Sequence, residues 1–580
     1  MVRESDPRLL AESAILGVIG ALCAQAFMWA LKFCEHFFLI RLAGFHPAGL
    51  PEEGGALKQM IGPHGLLLIP VATTLGGLIS GLLVYTFAPE AEGHGTDTVV
   101  KAFHRAGGFI RARVAPLKLV ASAVTIGSGG AAGREGPTAL IGAGLGSIYA
   151  TFVHRKDEDR GLIVLMGMAA GLSAIFRSPI GAAFFAVEVL YEKMEFEAGA
   201  LLYTMLSSVV AYAVNSMFVG NRPLFFFPTG QVPSSVSAYL WFGALGIAGG
   251  LLATLLPLVF YRVRDAFRSL PVPAVLNPAI GGLLLGLIAM ELPQILGGGY
   301  GWIQEAIDGR IALKLLVALL FAKLIGFALT VSSGGSGGVF APTLFVGAML
   351  GAVLAALAHL PAAAFVVVGM VAVFGAAAHV PMASLVMVTE MTGGYQILPG
   401  AAFAVLLGYL VQSWLSTSLK YHSLYEAQVP SRLQSPARYV ESVESALRIL
   451  GTRKVSGTQL GHLDLVNVLD SGVGVQIPGR KELNIGVVEP NSDLVGRTIQ
   501  EVSSITGKDI LEIVAILRGN EVALPTPSTA LREGDRILVL GSAKAREKLF
   551  SHLVLAAKLP EQPLAQRRLS EGEPGSQKKT

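Results

Sequence analysis

The sequence predicts two parts: an all-α polytopic membrane domain with an internal duplication over residues 1–430, and a small soluble α+β domain over 481–555. Three observations predict this. The 580 residues are 52% hydrophobic and only 14% charged, where an ordinary soluble protein carries roughly 25% charged residues. Apolar segments follow one another from about residue 9 to about residue 418, after which the chain turns polar. Two glycine- and proline-containing motifs recur in the same order at nearly the same spacing.

The apolar segments fall near 10–40, 64–88, 115–153, 161–191, 199–219, 236–262, 275–297, 311–333, 341–358, 361–391 and 399–418. Each is about long enough to cross a ~30 Å hydrocarbon core. They are continuous rather than alternating, so they read as helices and not as barrel strands. Several are long and interrupted by Gly or Pro, which suits pairs of partial helices. The opening "MVRESDPRLLAES" has no basic-then-apolar-then-small pattern and is not read as a cleaved leader. Cys23 and Cys34 both lie in the first apolar run. They read as small buried apolar residues and offer no disulfide framework or metal site. Net charge is +4, which makes no case for nucleic acid. Arg155, Lys156 and Arg160 in one loop, and Lys101, Arg105, Arg111, Arg113 and Lys118 in another stretch, place both on the cytoplasmic side.

The duplication is visible when "SGGAAGREGPTALIGAGLGSI" from Ser128 is set above "SGGSGGVFAPTLFVGAMLGAV" from Ser333. Gly133/Gly338, Pro137/Pro342, Thr138/Thr343, Gly142/Gly347, Leu145/Leu350 and Gly146/Gly351 coincide, at an offset of 342 − 137 = 205. In "FRSPIGAAFFAVEV" and "AHVPMASLVMVTEM", Pro179 matches Pro381 and Glu188 matches Glu390, at an offset of 390 − 188 = 202. A duplicated membrane unit with matching helix interruptions points to a transport site where the copies meet. The competing reading of "GSGGAA" as a dinucleotide loop lacks a preceding strand, and no phosphate-loop lysine follows.

Pro is favoured in the first helical turn, so Pro137 and Pro342 mark helix N-termini inside the membrane domain. Such ends present unpaired N–H groups and about half a positive charge. Two of them converging make an anion site without a buried cation. Glu135 sits at one of them. A carboxylate there is stabilised by the amides that would hold a free anion, so it can act as a tethered competitor. The alternative is a helix-capping Glu135 with Arg134 as its salt partner.

These motifs resemble those of the CLC family of chloride channels and proton-coupled chloride exchangers. "GREGP" at 133–137, "GSGGVFAP" at 335–342, the helices running from Pro179 to Glu188 and from Pro381 to Glu390, and Tyr425 in "YHSLYEAQ" carry the resemblance, over about residues 10–430. It implies an inverted repeat and a homodimer with one pore per subunit. It makes Glu135 the gating residue. The amides of Val339 and Phe340 and the Tyr425 hydroxyl would line the central anion site, and amides around Arg134, Glu135 and Gly136 an outer one. It implies transport rather than enzymatic catalysis, and an integral protein of a prokaryotic inner membrane with both termini cytoplasmic. No cofactor is expected beyond the transported chloride.

Two positions depart from the family pattern. His94 stands where a serine commonly faces the ion. A neutral imidazole could donate to chloride, a protonated one would bind it more tightly, and a His packed against a loop would do neither. At the inner end, Glu188 is followed by Val189 where many exchangers carry a second glutamate, the internal proton acceptor. Val189 cannot carry a proton, which favours passive conduction; proton-coupled exchange stays the alternative, with Glu192 either a relay or a solvated helix-end charge.

After about residue 430, "VPSRLQSPARYVESVESALRIL" reads as a linker with a short helix, the linker spanning 431–480. "LNIGVVE", "ILEIVAILRG", "EVALP" and "DRILVLG" read as strands, "RGNE" at 518–521 as a hairpin turn, and "SAKAREKLFSHL" as an amphipathic helix. Residues 556–580 read as a disordered polar tail. The stretch 483–552 resembles the TrkA-C (RCK-C) module of potassium-transport regulators. That implies regulation through dimerisation or a small effector, which in relatives can be a cyclic dinucleotide. A ligand-sensing protein with a vestigial pore is opposed by the intact Glu135, Tyr425 and paired helix motifs. No hydrolase, kinase or zinc-protease motif occurs.

Overall fold

In a computed structural model, the structure describes residues 7–63, 65–155, 157–228, 235–432 and 435, and, further on, 475–477, 481–488, 492, 494–505, 511–518, 521–523 and 526–541. The chain divides into two compact units, Met1–Ser442 and Val443–Thr580.

The first unit is helical. In order it holds α1 (Pro7–Glu35, running on into a wider turn, His36–Leu42), α2 (Ile69–Phe87), α3 (Thr96–Arg105), α4 (Val114–Gly127), α5 (Glu135–Phe152), α6 (Asp157–Phe176), α7 (Pro179–Glu188) and α8 (Ala198–Val219). It continues with α9 (Val236–Arg268), α10 (Asn277–Glu291), α11 (Tyr300–Ile307), α12 (Leu313–Val331), α13 (Phe340–Ala358), α14 (Ala362–Ala377), α15 (Pro381–Thr392) and α16 (Leu398–Ser416). A two-residue strand pair, β1 (Phe45–His46) and β2 (Met60–Ile61), decorates one loop. Among the described residues nine helical stretches are long and apolar enough to span a membrane, and α4, α7 and α14 are shorter apolar helices. Trp29, Phe152 and Trp414 are each more than 70% exposed, as expected of a lipid-facing surface.

The long apolar runs split where Gly and Pro interrupt them. The predicted segment 115–153 is α4 and α5 separated by 128–134. Segment 161–191 is α6 and α7, and segment 361–391 is α14 and α15, each parted just before a proline. Close packing relies on small residues. A β-carbon on Gly142 would lie 2.2 Å from the Gly167 carbonyl oxygen, and one on Gly347 would lie 2.4 Å from that of Gly369.

The duplication extends to the backbone. His154 and His359 are both left-handed (φ 55° and 54°), at an offset of 205, and Arg177 and His379 likewise (φ 54° and 57°), at an offset of 202. Each pair of non-glycine residues holds an uncommon conformation at the same turn of its copy. The copies meet in an antiparallel bridge: Gly133 N donates to Gly338 O at 2.7 Å, and Gly338 N to Gly133 O at 2.6 Å. Glu188, at the end of α7, accepts from the amides of Met382 (3.1 Å) and Ala383 (2.6 Å) at the start of α15. Glu390, near the end of α15, accepts from Ser178 Oγ (2.6 Å) and from the amides of Gly181 (2.9 Å) and Ile180 (3.2 Å) at the start of α7. Each helix therefore caps the other's N-terminus with a carboxylate.

The second unit holds a five-stranded antiparallel sheet in the order β3-β4-β7-β5-β6, with β3 (Val475–Ile477), β4 (Lys481–Val487), β5 (Leu511–Arg518), β6 (Glu521–Ala523) and β7 (Arg536–Gly541), and a short helix, α17 (Ile499–Ile505). All four predicted strands are present. Arg518 pairs with Glu521, as the predicted hairpin requires. β3 lies inside the segment read as linker, where three residues with one polar centre carry too little pattern to be recognised. Its core includes Val488, Leu494, Val502, Ile513, Ile516, Ile537 and Val539. A register shift between Ile513 and Ala515 lets Ile513 and Ile516 share one face despite their spacing of three. Arg518 bonds both oxygens of Asp535, at 2.8 and 2.7 Å. Burial pushes the Asp535 carboxyl up, but the Arg518 bonds more than offset this and hold it below its ordinary range. The short helix within 436–450, the closing helix at 542–553 and the tail 556–580 lie outside the described residues.

Candidate functional site

Three loops converge on the Gly133–Gly338 bridge, and local sequence dictates their shape. Gly129 and Gly334 take φ of 104° and 99°, conformations open to glycine, just after α4 and α12. The chain then turns into α5 and α13, which start at Glu135 and Phe340, two residues before Pro137 and Pro342. The prolines sit in the first turn, where the missing N–H has no partner to lose. Thr138 and Thr343 each bond the carbonyl four residues back, at 2.7 Å.

Glu135 is 1% exposed. Tyr300 at the start of α11 donates its hydroxyl to Glu135 Oε1. A β-carbon on Gly133 would lie 2.1 Å from Glu135 Oε2 and 3.0 Å from the Ala341 nitrogen. The carboxylate therefore lies across the bridge from its own helix end toward the first amides of α13. It occupies the place where the two helix N-termini meet, which is where their combined positive ends favour an anion.

Arg134 is not the close salt partner of Glu135. Its guanidinium turns to Glu53, bonded from both Nη1 (3.0 Å) and Nη2, and its Nε stays 3.8 Å from Glu135 Oε1. A carboxylate placed for a two-bond fork outcompetes one next door that can be reached only edge-on. Arg134 also lies over the Tyr300 ring, 4.8 Å from its centroid. A cavity of about 530 Å³ opens on this side, lined in part by Lys32, Glu52, Glu53, Arg134 and Arg177.

The other predicted site residues gather here. Val339 and Phe340 begin α13 and are buried. Phe340 packs on Phe374 (4.0 Å between centroids) and Phe176 (4.3 Å), and Phe185 lies 6.2 Å from Phe340 and 6.3 Å from Tyr425. The Tyr425 hydroxyl hydrogen-bonds Thr96. The His94 ring lies 5.2 Å from the Tyr425 ring. A β-carbon on Gly136 would lie 2.3 Å from the His94 carbonyl oxygen, so only glycine lets this loop seat against α5. His94 is thus beside the helix end and Tyr425.

Several residues that hold these loops in place are not evident from sequence. Lys118, by sequence one of the charges that orient the chain, is fully buried and donates to the carbonyls of Ala91 (2.9 Å) and Gly93 (2.6 Å), holding the loop that carries His94. Arg111, in the same stretch, is buried against Glu90. Lys323 does for the second copy what Lys118 does for the first: it donates to Ile295 (2.7 Å) and Gly297 (2.6 Å), on the loop that leads to Tyr300. The offsets, 323 − 118 = 205 and 297 − 93 = 204, are the sequence signal for this pairing. Val189 is fully buried, and Glu192 is a quarter exposed and 3.2 Å from His422 Nδ1. Cys23 and Cys34 are unpaired and half-buried. "GSGGAA" follows α4, a helix, which leaves no place for a dinucleotide βαβ unit.

A family model described as voltage gated chloride channel matches residues 76–413, and one described as TrkA-C domain matches 487–554. The H(+)/Cl(-) exchange transporter ClcA of Salmonella agona is 29% identical over 442 residues, 73% of this chain and 89% of that one. The protein of the same name from Salmonella arizonae is 29% identical over 440 residues, with the same coverage. Among solved structures, a slow cyanobacterial Cl-/H+ antiporter aligns with a TM-score of 0.62 at 22% identity, over 72% of this chain and 96% of that one. A CLC-type fluoride/proton antiporter aligns with a TM-score of 0.61 at 24% identity, over 74% and 100%.

Proposed function

This chain belongs to the voltage-gated chloride channel family, and from that membership we propose that it moves chloride across a membrane in exchange for protons, with Glu135 as the gate. It is a transporter of the CLC type and not an enzyme. The observation that carries the gate is the Glu135 carboxylate seated between the N-termini of α5 and α13. Deprotonated, it holds the anion position; protonated or displaced, it yields that position to chloride. By sequence, Val189 favours passive conduction. The two Salmonella relatives are named exchangers over most of the chain, which supports exchange. A buried apolar Val189 then means that the inner proton is taken up elsewhere. Passive conduction is the second reading, favoured by that same side chain.

The protein acts as a homodimer in an inner membrane, termini cytoplasmic, each subunit with its own path. The TrkA-C domain regulates transport through a small effector or through its own pairing; comparing flux in the full chain and in a chain ending at Ser442 tests this, and unchanged flux under all conditions would count against regulation.

The deciding measurement records chloride efflux and proton movement together from liposomes carrying a chloride gradient. Proton uptake against its own gradient as chloride leaves supports exchange; chloride efflux without proton movement supports a passive pore. Glu135→Gln is expected to keep chloride flux, reduce its pH dependence and cut proton flux at least about tenfold, since a general proton carrier contributes factors of that size or more. Unchanged pH dependence and proton flux would remove Glu135 from the gate.

A further inference from the structure

The two ring nitrogens of His94 have different surroundings. The residue is 7% exposed. Its Nε2 lies 3.2 Å from Asp97 Oδ2. Its Nδ1 is buried and has no hydrogen-bond partner among the described residues. The ring packs between Tyr425 and Phe260, 5.2 and 6.3 Å from their centroids. Asp97 is itself fixed, since the Ala427 amide, two residues past Tyr425, donates to its Oδ1 at 3.2 Å. The imidazole, Tyr425 and the start of α5 are thus tied into one wall.

A carboxylate beside an imidazole decides which nitrogen carries the proton. With Asp97 at Nε2, the neutral ring holds its proton there and turns a lone pair outward at Nδ1. That lone pair repels an anion. A second proton converts Nδ1 into a donor and the ring into a cation whose counter-charge, Asp97, is already in place.

We infer that His94 takes the transported anion as an imidazolium, through Nδ1–H, so that an anion held at this wall brings one proton with it. This rests on the anion-transport reading above and sets how pH governs anion binding at this wall, while the exchanged proton is carried by Glu135. The proton comes from water, resides on Nδ1 while the anion is bound, and returns to water when the anion leaves; no covalent bond to carbon or chlorine changes. The other charged and titratable groups around the dyad set its field without contacting the ring nitrogens. From α4, Lys118 bonds the Ala91 and Gly93 carbonyls. From α3 and the segment after α16, Lys101 and Glu426 lie 3.8 Å apart. From α9 come Arg264, 2.8 Å from Glu426, and Tyr261. Tyr425, Glu135 across the site, and Glu92, two residues before His94 and acting on Lys118, belong to the same field.

The test measures chloride binding to the full-length purified protein by titration calorimetry at pH 5.5 and pH 7.5. All variants carry Glu135→Gln, so that the tethered carboxylate does not compete. Uptake of one proton with each bound anion raises affinity by up to about tenfold per pH unit, so the Glu135→Gln parent is expected to bind about tenfold more tightly at the lower pH. Adding His94→Ser supplies a neutral hydroxyl donor, and affinity is then expected to differ less than about twofold between the two pH values. Adding Asp97→Asn removes the counter-charge and is expected to reduce the parent's ratio to below about threefold. A tenfold ratio surviving His94→Ser, or a parent with no ratio, overturns the inference. Should His94→Ser fail to run as a folded species on size exclusion, Asp97→Asn decides alone by the same criterion. Chloride flux in liposomes with a flat binding profile would reject the dyad and leave the transport reading standing. Absence of both binding and flux in the parent and in the natural sequence would reject both.

Discussion

The two copies within the membrane unit share a frame and differ in chemistry. Before Pro137 the first copy reads Arg134-Glu135-Gly136; before Pro342 the second reads Val339-Phe340-Ala341. The loop held by Lys118 carries His94, and the loop held by Lys323 carries Gly298 at the matching place. Gly133 and Gly338 bond each other across the centre, yet the carboxylate that lies over them comes from one side only. Duplication sets where helix ends meet, because that geometry needs only glycine, proline and backbone. The carboxylate at the meeting point comes from the first copy alone. A second carboxylate in place of Phe340 would set two like charges against one anion position, and one of them would be forced to stay protonated.

The largest effect is expected at the residue after Glu135. A β-carbon on Gly136 would meet the His94 carbonyl at 2.3 Å and the Gly338 α-carbon at 3.0 Å, both backbone atoms that cannot rotate away. Gly136→Ala is expected to cost more than the ~1–3 kcal/mol of an ordinary overpacked core position. Chloride flux should fall to background. Its counterpart is already an alanine, so Ala341→Gly should cost only about 1 kcal/mol, the helix-propensity difference, and keep flux. Liposome flux with thermal unfolding in detergent reads both. Equal behaviour of the two variants would mean that the copies are interchangeable at this point.

The reciprocal caps of the two copies also differ. Glu188 is fully buried and serves two amides, whereas Glu390 serves two amides and a hydroxyl from a partly open position. Hydrogen bonds to charged groups contribute roughly 1.5–3 kcal/mol, and the loss is greatest where water cannot replace them. Glu188→Gln should therefore lower the unfolding temperature more than Glu390→Gln. If the order reverses, the caps act on assembly of subunits rather than within the fold.

What is legible in the sequence follows the same division. Gly133, Pro137, Gly338 and Pro342 are readable because a tight turn into a helix restricts residue type at the position itself. Glu135 is readable because a carboxylate among glycines in an apolar run is too costly to keep unless it has partners or a task. Tyr300 and Glu53 are not, because their roles depend on partners brought close by the fold, 165 residues away for Tyr300 and Glu135 and 81 for Glu53 and Arg134. Lys118 misleads for a similar reason: a lysine near the start of an apolar run looks like a surface charge until the carbonyls of Ala91 and Gly93 are seen around its ammonium. Strand β3 escapes notice because three residues have almost no pattern.

The smallest expected effect concerns the hydroxyl bonded to Glu135. Tyr300 occupies the second copy's place for Thr96, since 300 − 96 = 204, and each stands one residue after a left-handed glycine, Gly299 and Gly95. Thr96 hydrogen-bonds Tyr425, and Tyr300 donates to Glu135. The two copies thus tie the same turn to different partners. Tyr300→Phe keeps the ring, its packing 5.9 Å from Phe225 and its position under Arg134, and removes only the donor. A hydrogen bond to a charged group of roughly 1.5–3 kcal/mol would be lost from the seated carboxylate. Part of it is recovered from the surrounding amides, so chloride turnover should rise only severalfold, with proton coupling kept because the carboxylate itself remains. A fall in turnover would instead mean that Tyr300 holds Glu135 in its open position, and the hydroxyl would then belong to the conducting state rather than the closed one.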